Sequence, residues 1–543
     1  MIISSSSILF SKNSHARNKT KKIKPTYGGT LVWGTANPPT RINPVLTSHS
    51  VSSALLALIF DALVRIDSNG DVVPGLAESW DISEDGLLYT FHLNQNVRFH
   101  DGKELTAEDI KFTYDLINDP KNNSHWRTNT ELIDNWKVLN KYTIQLTLIK
   151  PFPQILRKLI REIIPKHLFD NKNLHTNFYN YNPIGSGPFR FKSWNKETDQ
   201  IELIANLNYF ERRPYLDNII IKTYADAAKL WIALMKEEVD FVKFISRRDF
   251  LVLDKDAFFK TYRIPLEMYY AILYNPQDPI FHDKELRKAI AHGINKQEIM
   301  KAINMYGAES TGPFHPKSIG FNPDVKPLEY NPYKARMMLM HRRWRDVYTG
   351  SVPKNRVEAY GGSDTHGGEY GIRRKGAQDL ELKLLVDATS EMKVRMAIAI
   401  RQNLAHIGIK TTFLRYHNIS ELTPEYLKKH KPQAWLRRFQ AFKSETSHSA
   451  KDWYSSSTEF GKLWHYKNET VDLLFQQART MQNQNESAKI YQHIHKIIYA
   501  DQPACFLFFP TSFHAVTANL KNTDAFFNIY MPGRTIKDWY IAN

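Results

Sequence analysis

From Tyr27 onward the chain alternates between two hydrophobic periods, and that alternation restricts it to mixed α/β lobes. Runs of period two occupy Thr30 to Gly34, Leu88 to Leu93, Thr143 to Leu148, Gln200 to Ile204, Asn218 to Thr223 and Leu380 to Val386. Successive side chains of a strand point to opposite faces, so Tyr89, Phe91 and Leu93 share one side. Helical spacing fills the intervals. Thr106-Ala107-Glu108-Asp109 has the composition of a capping box and leads into Ile110, Tyr114 and Ile117. Leu286, Ala289, Ile290, Gly293 and Ile294 form an apolar stripe after Asp283, and Val394, Ala397, Ile398 and Leu404 form another that Gly408 closes. Further helices are expected over Val471 to Met481 and Ser487 to Ala500, the second ending before Pro503. No unit repeats at a fixed period, and 543 residues exceed the ~250–300 that one core serves, so several lobes are expected.

The formal charge of +17 is concentrated rather than spread. Residues 1–25 carry +6, residues 336–378 carry +5 and residues 426–444 carry +6, which accounts for the whole excess. A tail and two local stretches argue less for nucleic acid than a continuous basic face would. Residues 341–378 hold seven glycines and almost no apolar periodicity, and read as a long, basic, flexible surface loop. Met1 to Phe10 reads MIISSSSILF with the basic residues after it, the reverse of an export signal; residues 1–25 are read as a basic tail or a degraded or truncated signal. The single cysteine, Cys505, lies in an apolar run and is expected to be buried and inert.

Searches for chemistry find little. The chain has no P-loop, GxSxG elbow, HExxH or GxGxxG. Gly185-Ser186-Gly187-Pro188 reads as a turn entering the strand Phe189 to Trp194. His493 and His495, two apart on a helix, face different ways and make a poor metal pair. Asp81, Glu84 and Asp85 sit in a turn ending at Gly86 and are read as solvated turn residues. No enzyme activity, cofactor or metal is expected.

Val73-Pro74-Gly75-Leu76-Ala77-Glu78-Ser79-Trp80, Asp85-Gly86, Tyr89 to Leu93 and Val97-Arg98-Phe99-His100-Asp101-Gly102 together resemble the signature region of family 5 solute-binding proteins, the oligopeptide, dipeptide and nickel receptors of ABC importers. Leu105 to Asp109, Asn182 to Phe189, Asn208-Tyr209-Phe210 with Pro214 to Asp217, Asp283 to Asn295 and Asn468 to Leu474 are similar to further family motifs in the same order. The resemblance runs from Gly28 to about Phe509 and implies a two-lobed, periplasmic-binding-protein-like α/β fold that closes about a hinge over a central cleft. It implies a first lobe of residues 26–60, 185–275 and 500–543, an extra domain of 61–184 and a second lobe of 276–499. It also implies a monomeric, periplasmic or extracytoplasmic receptor for an oligopeptide or similar small solute, with ABC permease subunits as partners. An alternative from another class is an interaction protein that kept the fold and uses its basic segments to contact anionic partners.

In peptide-binding relatives an Asp three residues after a Gly-Trp pair holds the peptide amino terminus. The corresponding stretch here is Arg438 to Glu445, with Arg438-Phe439 in place of Gly-Trp, Phe442 in place of the Asp, and Glu445 as the nearest acid. Without that carboxylate an ammonium group loses a bond worth ~1.5–3 kcal/mol. Arg437, Arg438 and Lys443 fit an acidic ligand, or alternatively a solvated basic surface. Trp435, Phe439, Trp453 and Tyr454 are candidates to stack on ligand, or core residues, and Asn43 corresponds to a loop at the cleft mouth.

Overall fold

The computed structural model describes residues 24–47, 50–67, 71–127, 130–346, 371–441, 446, 453, 466–481, 483–527 and 532–542. The chain opens with β1 (Thr30–Thr35), α1 (Ser50–Ile59), β2 (Val64–Ile66) and β3 (Val72–Pro74). A four-stranded antiparallel sheet follows, built from β4 (Ala77–Ile82), β5 (Leu88–Leu93), β6 (Ile133–Asn140) and β7 (Thr143–Leu148), with α2 (Ala107–Asn118) inserted and α3 (Lys166–Phe169) after it. The chain returns through β8 (Phe189–Asn195), β9 (Gln200–Ala205), β10 (Asn218–Thr223), α4 (Ala227–Met235), β11 (Phe241–Ile245), α5 (Arg247–Leu253) and β12 (Phe259–Pro265). It then crosses into β13 (Met268–Tyr274), α6 (Lys284–Gly293), α7 (Lys296–Ala302), β14 (Gly307–Glu309) and α8 (Pro332–His341). Short strands β15 (Arg345–Asp346), β16 (Arg373–Lys375) and β17 (Gln378–Asp379) precede β18 (Glu381–Asp387), α9 (Glu391–Ala405), β19 (Lys410–Tyr416), α10 (Pro424–His430), β20 (Ala434–Gln440), α11 (Glu469–Thr480), α12 (Gln484–Asp501) and β21 (Ala504–Thr517).

All six period-two runs are strands, within a residue of the expected bounds. Asp109 closes the amino end of α2 by accepting from the Thr106 backbone N–H at 2.9 Å and from Thr106 Oγ1 at 3.1 Å, while its other oxygen accepts from Lys166 N at 2.9 Å and ties in α3. The Gly-Ser-Gly-Pro turn has a steric cause. Cβ atoms on Gly185 and Gly187 would lie 2.0 Å and 2.8 Å from the carbonyl oxygen of Ile59, so only glycine lets this turn approach the end of α1, where Gly187 N donates to that carbonyl at 2.8 Å. His100 locks the turn from the other side, accepting at Nδ1 from Gly185 N (3.3 Å) and donating from Nε2 to Gly187 O (3.0 Å). The signature region and the glycine turn, far apart in sequence, are thus one interlocked unit.

Among the described residues four apolar clusters divide the interior. The first joins β1, α1 and the C-terminal Ile536 and Trp539 to Tyr89, Phe91 and Ile144 of the four-stranded sheet and to Tyr114 of α2. The second and third lie on opposite faces of the β13/β18/β20 sheet, one under α6 and α9 and one under α11 and α12. The fourth packs α4 and α5 against Val242 and Ala515. Tyr269–Tyr274 and Ala504–Phe509, which the expected boundaries at 275 and 500 place with the first lobe, pack in the second and third clusters. The reason is the length of β21: its first half pairs with β13 and β14, its second with β11 and β12, so one strand belongs to both lobes.

The stretch 341–378 departs from the expected surface loop at its described ends. β15, β16 and β17 form a small sheet, and Arg373, buried, donates from Nε to Ile407 O and from Nη1 to Trp344 O, both at 2.9 Å. Carbonyls left over at the end of α9 and near β15 give the guanidinium its place. Residues 347–370 lie outside the described residues, as do 1–23 of the basic tail. Cys505 is buried, with burial raising its thiol to about 11.

Candidate ligand-binding site

Strand direction locates the site. β11 runs antiparallel to the second half of β21, with Phe241 opposite Val516 and Ile245 opposite Phe513, so its carboxyl end points back towards the second lobe. β1 is parallel to β11 and β10 to β1, so their carboxyl ends point the same way. In the second lobe Met268, at the start of β13, pairs with Gln440, so the carboxyl end of β20 lies at the divide; β18 is parallel to β20 and β19 to β18. The two halves of this continuous twelve-stranded sheet therefore aim the carboxyl ends of their parallel strands at the seam, where open α/β sheets bind ligands. Among the described residues two connections cross it, β12–β13 and β21.

Alternation along β20 puts Trp435, Arg437 and Phe439 on one face and Leu436 and Arg438 on the other. Phe439 stacks on its register partner Tyr269, with ring centroids 5.2 Å apart and planes 12° from parallel. Trp453 approaches Phe439 at 5.7 Å and donates Nε1–H to Tyr269 Oη at 3.0 Å. Trp435 donates its indole N–H to Tyr416 Oη at 3.1 Å. The Arg437 guanidinium lies 4.9 Å from the Trp435 ring centroid and 5.3 Å from that of Phe439, a cation–π arrangement that orients it. Trp435, Arg437, Phe439 and Trp453 thus come together in one aromatic group bearing a cation.

Two other candidates lie elsewhere. Arg438, on the opposite face, is exposed beside Tyr270. Asn43 is buried in the first lobe, where its Nδ2 donates to Asn180 Oδ1 at 2.7 Å and its Oδ1 accepts from Val45 N at 2.8 Å, so it pins a loop. Phe442, Glu445 and Tyr454 lie outside the described residues. Sequence reasoning did not single out Tyr269, Tyr416 or, in the first lobe, Lys243. Tyr269 sits in a run buried on both faces, which hides the alternation that marks the other strands. Among the described residues no cluster of His, Cys, Asp or Glu has the arrangement of a metal site, and no helix is long and apolar enough to cross a membrane.

Two lobes joined by crossing strands, with the carboxyl ends of their parallel strands converging on the seam, define a hinged binding protein. The chain belongs to the bacterial extracellular solute-binding proteins, family 5, whose middle region matches residues 71–461. It is 28% identical to the oligopeptide-binding protein AppA of Bacillus subtilis over 98% of this chain and 95% of that one. The structure of that protein in complex with a nonapeptide superposes with a TM-score of 0.68 at 26% identity, covering 96% of this chain and 100% of that one. NikZ from Campylobacter jejuni, in complex with Ni(L-His), gives a TM-score of 0.68 at 26% identity over 94% and 99% of the two chains. Proteins of this family are solute-binding proteins and are extracytoplasmic as a class.

Proposed function

We infer that this chain is the capture component of an ABC importer, a monomer outside the cytoplasmic membrane that takes up an oligopeptide or similar small solute and passes it to permease subunits. The observation that carries this reading is the convergence of both sets of strand ends on the seam between the lobes. Apolar rings supply most of a ligand's buried area, and a few oriented polar groups fix its position. Rotation about β12–β13 and β21 would bring the lobes together, so binding shifts the population towards the closed form that a permease recognises. The family match and the similarity to oligopeptide-binding AppA over nearly the whole chain favour this over an interaction protein that uses the basic segments.

Trp435 and Trp453, buried in the second lobe, supply the emission to follow. Titration with short peptides is expected to give a saturable change in tryptophan emission with 1:1 stoichiometry. No change with either peptides or metal–histidine complexes would overturn the reading.

A further inference from the structure

The first lobe presents a half-buried cation with no counter-charge among the described residues. Lys243 stands near the carboxyl end of β11, at the seam, where the register with β21 slips between Lys243 and Ile245. The bulged residue Phe244 takes φ +69°, a left-handed conformation uncommon for a side-chain-bearing residue. Bulges are enriched beside functional sites, where they re-aim a side chain.

Register places Lys243 opposite His514 and His514 opposite Tyr262, so three polar side chains form one row across β11, β21 and β12. The other two are committed. His514 Nε2 meets Ser512 Oγ at 2.8 Å, and its Nδ1 accepts from Phe244 N at 3.4 Å. Tyr262 meets Thr523 Oγ1 at 2.6 Å and donates to Asp524 at 3.1 Å, with Phe527 stacked on its ring at 3.7 Å. Asp524 is in turn bridged by Lys260 at 2.7 Å. Lys243 Nζ has only the Phe244 ring, 5.1 Å to its centroid, and no ion pair or hydrogen bond among the described residues. Burial pulls its ammonium group down to about 8. An isolated, partly desolvated charge is destabilising until a counter-ion arrives.

We propose that Lys243 is the first-lobe contact for a carboxylate of the bound solute, so that the ligand class is small solutes with a free carboxylate and the ion pair forms as the lobes close. This rests on reading the seam as the ligand cleft. It agrees with a sequence in which Phe442 stands where the family resemblance implies the aspartate that holds an ammonium group.

The full chain would be offered tripeptide libraries in two matched halves, one with a free C-terminal carboxylate and one amidated, and retention read by native mass spectrometry. Wild type is expected to favour the free-carboxylate half by about tenfold or more, the size of one charge-assisted bond. Lys243→Met should lose most of that preference while holding the amidated half as before, and Lys243→Arg should restore part of it. Equal retention of both halves by wild type, or an unchanged preference in Lys243→Met, overturns the proposal and leaves the receptor reading intact. If Lys243→Met does not fold, Lys243→Gln takes its place in the same comparison, with the same expected loss. Retention of neither half by wild type rejects the peptide-receptor reading and this contact with it.

Discussion

Tyr269 and Phe439 face each other across β13 and β20 with their rings stacked, and the Tyr269 hydroxyl accepts the indole N–H of Trp453 at 3.0 Å. Three separate parts of the chain therefore meet on one tyrosine at the seam. Tyr269→Phe keeps the stack but strands a buried donor, which costs ~1–3 kcal/mol. Urea unfolding followed by tryptophan emission should show that loss; an unchanged midpoint would remove the bond from the account.

Arg437 is expected to act through its planar fork as well as its charge, because it lies against two aromatic rings. A lysine ammonium matches neither the stacking nor the bidentate geometry. Calorimetric titration with a carboxylate-bearing peptide should show about tenfold weaker binding for Arg437→Lys, equivalent to ~1.4 kcal/mol. Equal affinities would place Arg437 outside the ligand site.

Gly187→Ala tests the interlock between the signature region and the glycine turn. The added Cβ would lie 2.6 Å from the carbonyl carbon of Ile59 and 2.7 Å from Leu58 O, so backbone must move. Destabilisation of roughly 3 kcal/mol is expected, at the upper end for single substitutions. A denaturation midpoint within error of wild type would show that the turn has slack absent from this structure.

Acid should destabilise the fold through its buried histidines. Burial holds His100 at about 4, His495 at about 4 and His514 at about 3, with the charge of Lys243 adding to the effect on His514. Each is neutral when folded, whereas an unfolded histidine takes a proton near pH 6.5. The unfolded chain thus binds more protons between about pH 6.5 and 4, so stability is full above that window and falls as pH drops through it. Thermal melts at pH 7.5 and 5 should differ, and His495→Gln should narrow the gap. A melting temperature independent of pH would contradict this.

Lys243 carries the same logic with a different window. Its folded ammonium group sits at about 8 against 10.5 in the unfolded chain, so it destabilises the ligand-free protein at neutral pH, and the penalty fades as pH rises towards 10.5. Ligand-free Lys243→Met should melt above wild type at pH 7, with the difference shrinking at higher pH. A lower melt at pH 7 would mean that the ammonium group has a partner in the apo protein.

Local physics made much of this fold legible. Period-two runs and capping residues marked strands such as β5 and β7 and helices such as α2 and α6, because each needs only nearby residues to express its pattern. β13 escaped notice because it is buried on both sides, and the apolar run at Ala504 to Phe509 gave no sign that one strand would serve both lobes. In the site, the β20 aromatics and Arg437 could be named because their stretch resembles the family's ligand-holding segment. Their union with Tyr269 and Trp453, the separation of Arg438 onto the other face and the isolation of Lys243 depend on register between distant strands. Arg373 shows the same limit: in sequence it belongs to a glycine-rich basic stretch, and only the fold supplies the carbonyls that bury it.

Native mass spectrometry of the protein purified from its natural host, followed by mild denaturation to release whatever co-purifies, bears on the whole account. The expected result is one small solute per chain, carrying a free carboxylate, released on unfolding and replaceable by added peptide. A chain that is empty as isolated and gains no mass with peptides or metal–histidine complexes would contradict capture at the seam between the lobes.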